Sequence, residues 1–360
     1  MNPWLQNLSN PHHAKLWAQM IAMAPFMFQA ALTLRNLGVL KTIDAAGSEG
    51  TTFKDLQSKA DVSEYGLGVL LDGGESSGLI YSKDGRYFLT PAGEHIEKDR
   101  ITNINMNFTQ DVCYHGLSAL EESIRHRRPE GLKVFGSWKT IYEGLTQLPK
   151  RAMQSWFEFD HYFSDDAFPK VLPIVFRDRP RTILDVGGNT GKFALVCGKY
   201  RPDVSITILD HPAQLQLAFE RAEENGIRDR VSGAAVDLLD HSVPFPKDHD
   251  VIWMSQFLDC FGKDDILQLM KRAAAAMGPS SRYFIMEPFV DRQQFAASKF
   301  CLDMTSLYFT CMANGESRMY RAADFYELLD QAGLEVEEEY GPIRLSHTVL
   351  RCRLKGAPHL

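Results

Sequence analysis

The 360-residue sequence is short of several things, and each shortage removes a class of protein. Its six cysteines (113, 197, 260, 301, 311 and 352) form no C-x-x-C pair, so neither a zinc ribbon nor a paired redox site is spelled out. Scattered thiols point to a reducing cytoplasm rather than a disulfide scaffold. Positive charge is not in excess: 39 Lys and Arg stand against 46 Asp and Glu, a formal net charge of −7. No global basic field therefore draws the chain to nucleic acid or to an anionic membrane. The opening MNPWLQNLSNPHHAKLW lacks a charged n-region, an apolar h-region and a cleavage site, so no secretory leader is expected. Long apolar runs are missing as well. LWAQMIAMAPFMFQAALTL is interrupted by two Gln and a Pro, short of the roughly 20 apolar residues of a membrane span. It reads as a buried or interface helix.

What is present falls into three parts: residues 1–100, 101–178 and 179–360. In the first, residues 12–37 are apolar at helical spacing and stop at Gly38. Residues 51–78 read as two helices, the first capped by Thr51 or Thr52, and LIYSKDGRYFLT as a hairpin turning at Lys83-Asp84-Gly85. Helix, helix, hairpin is a winged-helix pattern. A DNA-reading helix needs Lys or Arg, yet residues 61–82 contain neither and do contain Asp61, Glu64, Asp72 and Glu75. A structural or dimerisation role is expected instead. The second part reads as bridging helices with a dense aromatic run (Trp156, Phe157, Phe159, Tyr162, Phe163) and two imidazoles, His115 and His161. Packing between the halves and a wall over a flat substrate both fit this run.

From Thr182 onward, strand-like and helical runs alternate, and LEVEEEYGPI and HTVLRCRL close the chain without a helix between them. The pattern predicts an α/β fold, a mostly parallel, doubly wound sheet with one reversed edge strand. LDVGGNTGKFA (184–194) is a strand, a glycine turn and a helix start. A dinucleotide fingerprint would need glycine at 189 and 192, where Asn189 and Lys192 stand. What remains is Asp185 followed by Gly187, Gly188 and Gly191, an acid suited to a cationic amine and repelled by a pyrophosphate. Asp210 ends the next strand, where an acid accepts from ribose hydroxyls, and Asp237 ends the third, within reach of an adenine amino group. Three acids on successive strand ends suit a cationic nucleoside. The segment CLDMTSLYFTCMANG carries Met304, Tyr308 and Met312 at helical spacing, residues that build cores and also line flat, adaptable pockets.

LDVGGNTG resembles the LDVGGGTG motif of the plant-type small-molecule O-methyltransferases, a family with bacterial members. LRNLGVLKTI, YEGLTQLPKRAMQSW, ILDHP, AVDLLD and NGESRMYRAADFYELLDQAG are similar to further family segments, so the likeness spans nearly the whole chain. The resemblance implies a Rossmann-like class I methyltransferase domain with a mixed seven-stranded sheet. It also implies a winged-helix dimerisation domain in front, a homodimer, S-adenosylmethionine as cofactor, a small-molecule acceptor and no metal. By position it assigns Gly187 and Gly191 to the methionine part, Asp210 to the ribose, and Asp237 and Leu238 to the adenine. It places Ser255 where a cofactor-side Lys is usual and Phe261 where an adenine-packing Trp is usual.

The family's strand end reads like IFMKWICHDWSDE, with the His as general base. Here MSQFLDCFGKDD (254–265) puts Asp259 on that His, and no His occurs from 250 to 346. Three readings stay open for Asp259: a base with a raised pKa, an orienting group for an already acidic acceptor such as a hydroxyquinone, or an anchor for an amine. A fourth makes it only the cap of the helix starting near Gly262. Glu287 aligns with the Glu that orients the family's His, free here to steer Asp259's proton or to act as the base. Glu316 corresponds to a second supporting Glu if the alignment carries a gap; without one Met319 stands there. The expected activity is O-methylation of a small aromatic, phenolic or quinone-like hydroxyl. The alternatives are N-methylation of an amine held by Asp259, or a family member that binds cofactor without transferring a methyl.

Overall fold

The computed structural model describes residues 9–164 and 166–358, in two units that divide after Asp111. The leader expectation therefore rests on residues partly outside the described ones, as does the side chain of Phe163.

In the first unit the apolar stretch 12–37 is two helices, not one. Pro11–Ala22, capped by the Asn10 side chain, ends at Met23, and Ala24–Asn36 sets off from it at 68°. Pro25, in the first turn of the second helix, has no N–H to give and its ring excludes the carbonyl one turn earlier, so the first helix cannot run through it. Nothing on Pro11–Ala22 is buried within the unit, and Leu16, Trp17 and Ile21 are exposed. Of the buried and interface readings of this stretch, the buried one fails for its first half. Gly38 adopts φ +70° and ends the second helix, as its position in the sequence predicts. Thr52 and Asp55 form a capping box for Phe53–Lys59, and Ser63 caps Glu64–Ser76. Strands β1 (Thr51–Thr52), β2 (Ile80–Lys83) and β3 (Arg86–Leu89) form a small antiparallel sheet in the order β1-β3-β2. Its hairpin turns on Asp84 and Gly85, both at positive φ (51° and 73°), the pair of angles a two-residue turn needs to match strand twist. Leu34, Leu40, Ile43, Leu56, Leu67 and Leu71 form this unit's own core.

The second unit is built on a sheet of β4 (Thr182–Val186), β5 (Ser205–Asp210), β6 (Val231–Ala235), β7 (Val251–Ser255), β8 (Arg282–Glu287), β9 (Leu334–Ile343) and β10 (His347–Leu354). The order is β6-β5-β4-β7-β8-β10-β9. β6, β5, β4, β7 and β8 run parallel, and β10 runs antiparallel to both of its neighbours. The mixed, mostly parallel sheet is as expected, but the reversed strand lies one place in from the edge. Composition explains the exchange. β10 buries His347 to Cys352 without interruption, whereas β9 carries Glu335, Glu337, Glu338 and Glu339 and suits an edge. A buried ionic tie fastens the three strands: Glu337 meets Arg282 Nε at 2.9 Å and Arg351 Nε at 3.1 Å, and Arg351 also reaches Asp178 at 2.6 Å.

Both faces of the sheet are covered. Ile266, Leu269, Met270 and Phe325 pack on one face; Phe168, Leu172, Phe193 and Trp253 pack on the other, with the Phe193 and Trp253 rings stacked 4.2 Å apart. Because five strands are parallel, their carboxyl ends share one edge, and Asp185, Asp210 and Glu287 arrive there together with the turn that follows β7. Among the described residues no single helix is long and apolar enough to cross a membrane, although the bent pair Pro11–Ala22 and Ala24–Asn36 is so by combined length and composition. No group of His, Cys, Asp and Glu among them is placed to hold a metal ion.

Candidate functional site

The glycine turn after β4 is a cradle that side chains would fill. Gly187 and Gly191 adopt φ +73° and +75°, and a Cβ on Gly187 would lie 2.4 Å from the Phe257 ring. A Cβ on Gly188 would lie 2.7 Å from Asp185 Oδ2, an oxygen that is buried and has no hydrogen-bond partner. Burial, and then the charge of Asp210, push the Asp185 carboxyl up to about 8. Asp210 closes β5 with both oxygens anchored, Oδ2 accepting from Asn189 N at 2.8 Å and Oδ1 from His211 N at 2.7 Å. Each oxygen keeps a lone pair for another donor. Asp237 lies exposed just past β6 and accepts from Leu239 N at 2.9 Å, while Leu238 beside it is buried. Ser255, at the end of β7, has a buried hydroxyl with no partner. Phe261 is half-buried with its ring edge-on to Phe257, 4.8 Å away.

After β7 the chain turns sharply. Gln256 takes φ +45°, a single 3₁₀ turn covers Leu258–Cys260, and the next helix starts at Lys263. That helix has Gly262 at its N-cap and no side chain bonded there, so Asp259 is not its cap. Asp259 is instead buried. Glu287 Oε1, at the end of β8, accepts from Phe257 N at 3.1 Å and Leu258 N at 2.9 Å. The far side of the turn is held by its carbonyls: Asn314 Nδ2 donates to Cys260 O at 2.6 Å and the Tyr320 hydroxyl to Phe261 O at 2.7 Å. Burial, then the charge of Asp160, raise the Asp259 carboxyl to about 7. Burial, then Asp259, hold Glu287 well above the usual carboxylate range, against the pull of its N–H donors. Glu287 Oε2 is buried and without a partner.

Aromatic side chains stand around this carboxyl group. Tyr142 stands by the Cys260 thiol and lies edge-on to Trp156, 6.4 Å away. Trp156 Nε1 in turn donates to the Tyr308 hydroxyl at 2.7 Å. His161 stacks on Phe157 at 5.8 Å and stands 3.8 Å from Asp160. The remaining expected residues sit differently. His115 is exposed, edge-on to Tyr114. Met304 is 45% exposed. Met312 is fully buried and fills the space at Gly116 and Gly131, where added Cβ atoms would come within 2.2 and 2.7 Å of its sulfur. Glu316 is exposed and pairs with Arg127 at 3.3 Å. Sequence reasoning passed over Phe257, Tyr142, Asp160 and Asn314. Asn314 had a local signal, since an Asn before Gly is a turn former whose side chain often ties a loop; the others join the site only through tertiary packing.

The sequence profile of the O-methyltransferase domain family matches residues 119–335, and that of a Dimerisation2-like domain matches residues 15–87. The chain is 26% identical over 168 residues to mitomycin biosynthesis 6-O-methyltransferase of Streptomyces lavendulae, covering 46% of either protein. It is 23% identical over 268 residues to 3-hydroxy-5-methyl-1-naphthoate 3-O-methyltransferase of Streptomyces sahachiroi, covering 74% of each. It is 30% identical over 237 residues to bacteriochlorophyllide d C-20 methyltransferase of Chlorobaculum tepidum, covering 62% of this chain and 65% of that one. The aligned segment thus spans less than half of the first of these relatives and about two thirds of the third. Among solved structures, the apo form of the S-adenosylmethionine-dependent methyltransferase SibL superposes with a TM-score of 0.72 at 21% identity, covering 93% of this chain and 98% of its own. An O-methyltransferase from neocarzinostatin biosynthesis, in complex with S-adenosylmethionine and 2-hydroxy-5-methyl naphthoic acid, superposes with a TM-score of 0.65 at 21% identity over 92% of this chain and 96% of that one. At these identities the likeness speaks to the fold.

Proposed function

Because the chain belongs to the O-methyltransferase domain family, we propose that it methylates the hydroxyl of a small aromatic or quinone-like acceptor, using S-adenosylmethionine, as a homodimer in the cytoplasm. When bound, the cofactor supplies an electrophilic methyl group on a sulfonium cation. The residues along the sheet edge fit such a molecule. The positive-φ glycines 187 and 191 leave room for close backbone approach, and the unpartnered Asp185 Oδ2 suits an amine. Asp210 holds spare lone pairs that would meet two ribose hydroxyls, Asp237 and Leu238 would flank the adenine, and Ser255 and Phe261 would complete the wall. Phe257, over the glycine turn, joins this set.

The observation that carries the catalytic reading is Asp259, buried on the turn after β7 and held there by backbone bonds from Glu287 and Asn314. A phenol has a pKa near 10 and an ordinary Asp one of about 3.9, a poor match for proton transfer. A carboxyl at about 7 is a better one. Asp259 would take the acceptor hydroxyl's proton, so that its oxygen gains the methyl group the cofactor would supply as the sulfonium carbon–sulfur bond breaks and a neutral thioether leaves. Glu287 spends Oε1 on the turn's backbone, so it positions Asp259 rather than replacing it. Tyr142, Trp156 and Tyr308 supply flat apolar walls that hold a ring in line, and alignment alone is worth up to about 7–11 kcal/mol.

A second reading, an amine acceptor anchored by Asp259, draws on Asp160, whose charge adds to that of Asp259. It predicts a rate that rises through the amine's own pKa and no turnover of neutral phenols. The first experiment is a calorimetric titration with S-adenosylmethionine. Micromolar binding that weakens tenfold or more in Asp210→Ala, about 1.4 kcal/mol or above, supports the cofactor site, and wild-type protein that does not bind overturns it. Turnover is then followed with 1,4-dihydroxy-2-naphthoic acid. Asp259→Asn should lose about 10²–10⁴-fold in rate while its cofactor titration stays as in wild type. Cofactor binding without methylation of any phenol or amine tried favours a member that no longer transfers a methyl.

A further inference from the structure

The residue that follows Asp259 is a thiol, and it stands between two hydrogen-bonding groups. Cys260 Sγ donates to Asp259 Oδ1 at 3.7 Å, within reach for sulfur. On its other side stands the Tyr142 hydroxyl, close enough for each group to bear on the other's proton. Neither partner is free to turn away. The Cys260 carbonyl is pinned by Asn314 Nδ2 at 2.6 Å, and the Tyr142 ring leans on Trp156, itself tied to Tyr308 at 2.7 Å. Burial pushes the Cys260 thiol well above its ordinary range, so the sulfur keeps its proton and acts as a donor rather than as a nucleophile. An ionised carboxylate only accepts, so the thiol's proton is directed to Asp259.

We propose that Cys260, backed by Tyr142, is a positioning residue for Asp259, forming a relay in which the tyrosine packs behind the sulfur and the thiol donates to Oδ1, so that Oδ2 is left to receive the acceptor's proton. The last clause rests on the methyl-transfer reading; the relay itself does not. It takes the place of an imidazole's second nitrogen, which would otherwise be fixed by a carboxylate. The other titratable groups that bear on Asp259 are Asp160 from the helix Lys150–Ser164, Glu287 from β8, and Tyr320 ahead of the last helix. The two carboxyls disfavour its charged form, whereas donation from Cys260 favours it. Removing the thiol therefore leaves repulsion with less to oppose it.

The test follows the protonated-carboxyl C=O band of Asp259 by infrared difference spectroscopy of the full-length protein across pH, the band being assigned by subtracting Asp259→Asn. In Cys260→Ala the titration midpoint should rise by about half to one pH unit, a three- to tenfold weaker acid. Cys260→Ser, which keeps a donor, should stay near wild type, and Tyr142→Phe should move the midpoint in the same direction by less. The S–H stretch of Cys260, isolated by subtracting Cys260→Ala, should lie below that of a free thiol and shift up in Asp259→Asn. A midpoint unmoved in Cys260→Ala, or a free-thiol S–H band in wild type, overturns the proposal. A parallel titration with S-adenosylmethionine separates the two ideas. No binding by wild type overturns the function and leaves the relay standing, whereas binding with an unmoved midpoint overturns the relay alone.

Discussion

Asp185 and Asp259 are buried carboxyls whose charged forms the fold disfavours, the first at about 8 and the second at about 7. Unfolded, each would titrate near 3.9, so between about pH 4 and pH 7 the native state binds protons that the unfolded chain has released. Stability therefore falls as pH rises through that window, and for Asp185 it falls on to about pH 8, by at most about 1.4 kcal/mol per unit per group. Asp185→Asn removes one of these protons. Urea unfolding at pH 5 and pH 8 should give a smaller difference between the two midpoints in the variant than in wild type, and an unchanged difference would contradict the buried, proton-holding carboxyl. At this scale much of the candidate site was readable in the sequence, because Asp185, Asp210 and Glu287 sit on parallel strand ends whose geometry is set by local pattern. Phe257, Tyr142 and Asp160 were not readable. Their approach to the glycine turn and to Asp259 depends on how segments far apart in sequence pack, which no spacing encodes.

The turn from Gln256 to Phe261 behaves as an element in its own right, clasped through its N–H groups by Glu287 and through its carbonyls by Asn314 and Tyr320. Asn314 also ties its own loop, its Oδ1 accepting from Glu316 N and Ser317 N at 2.9 Å. Asn314→Ala leaves several half-buried groups without partners and should cost about 1–3 kcal/mol. Thermal unfolding measures that cost, and a variant as stable as wild type would show that the clasp holds nothing. Strands and most helices were readable as elements, since apolar runs bounded by glycine or acid specify them. Two features were misjudged for definite reasons. Helical spacing across residues 12–37 hid the break, because periodicity does not register the missing N–H of Pro25. The closing hairpin concealed which of its strands goes inside, a choice set by the four glutamates of β9 against the unbroken buried run of β10.

At the scale of the whole molecule, Leu16, Trp17 and Ile21 on the helix Pro11–Ala22 stand exposed within a unit whose sequence matches a dimerisation domain. Large apolar side chains exposed together on one helix suit an association site. Sedimentation should find wild type as a dimer and a Leu16→Glu, Ile21→Glu double variant shifted toward monomer, with its far-ultraviolet circular dichroism unchanged. A double variant that remains dimeric would move the interface elsewhere.

The place of β10 also has a consequence for how the protein is made. β8 gains its second neighbour only when residues 347–354 arrive, some 60 positions later in synthesis. Until then β8 is a bare border, apolar from Tyr283 to Met286, open to any passing strand, and the acid that clasps the turn carrying Asp259 sits at the end of that border. Nascent chains halted before residue 347 should therefore be the species that chaperones hold, with the site among the last parts of the molecule to mature.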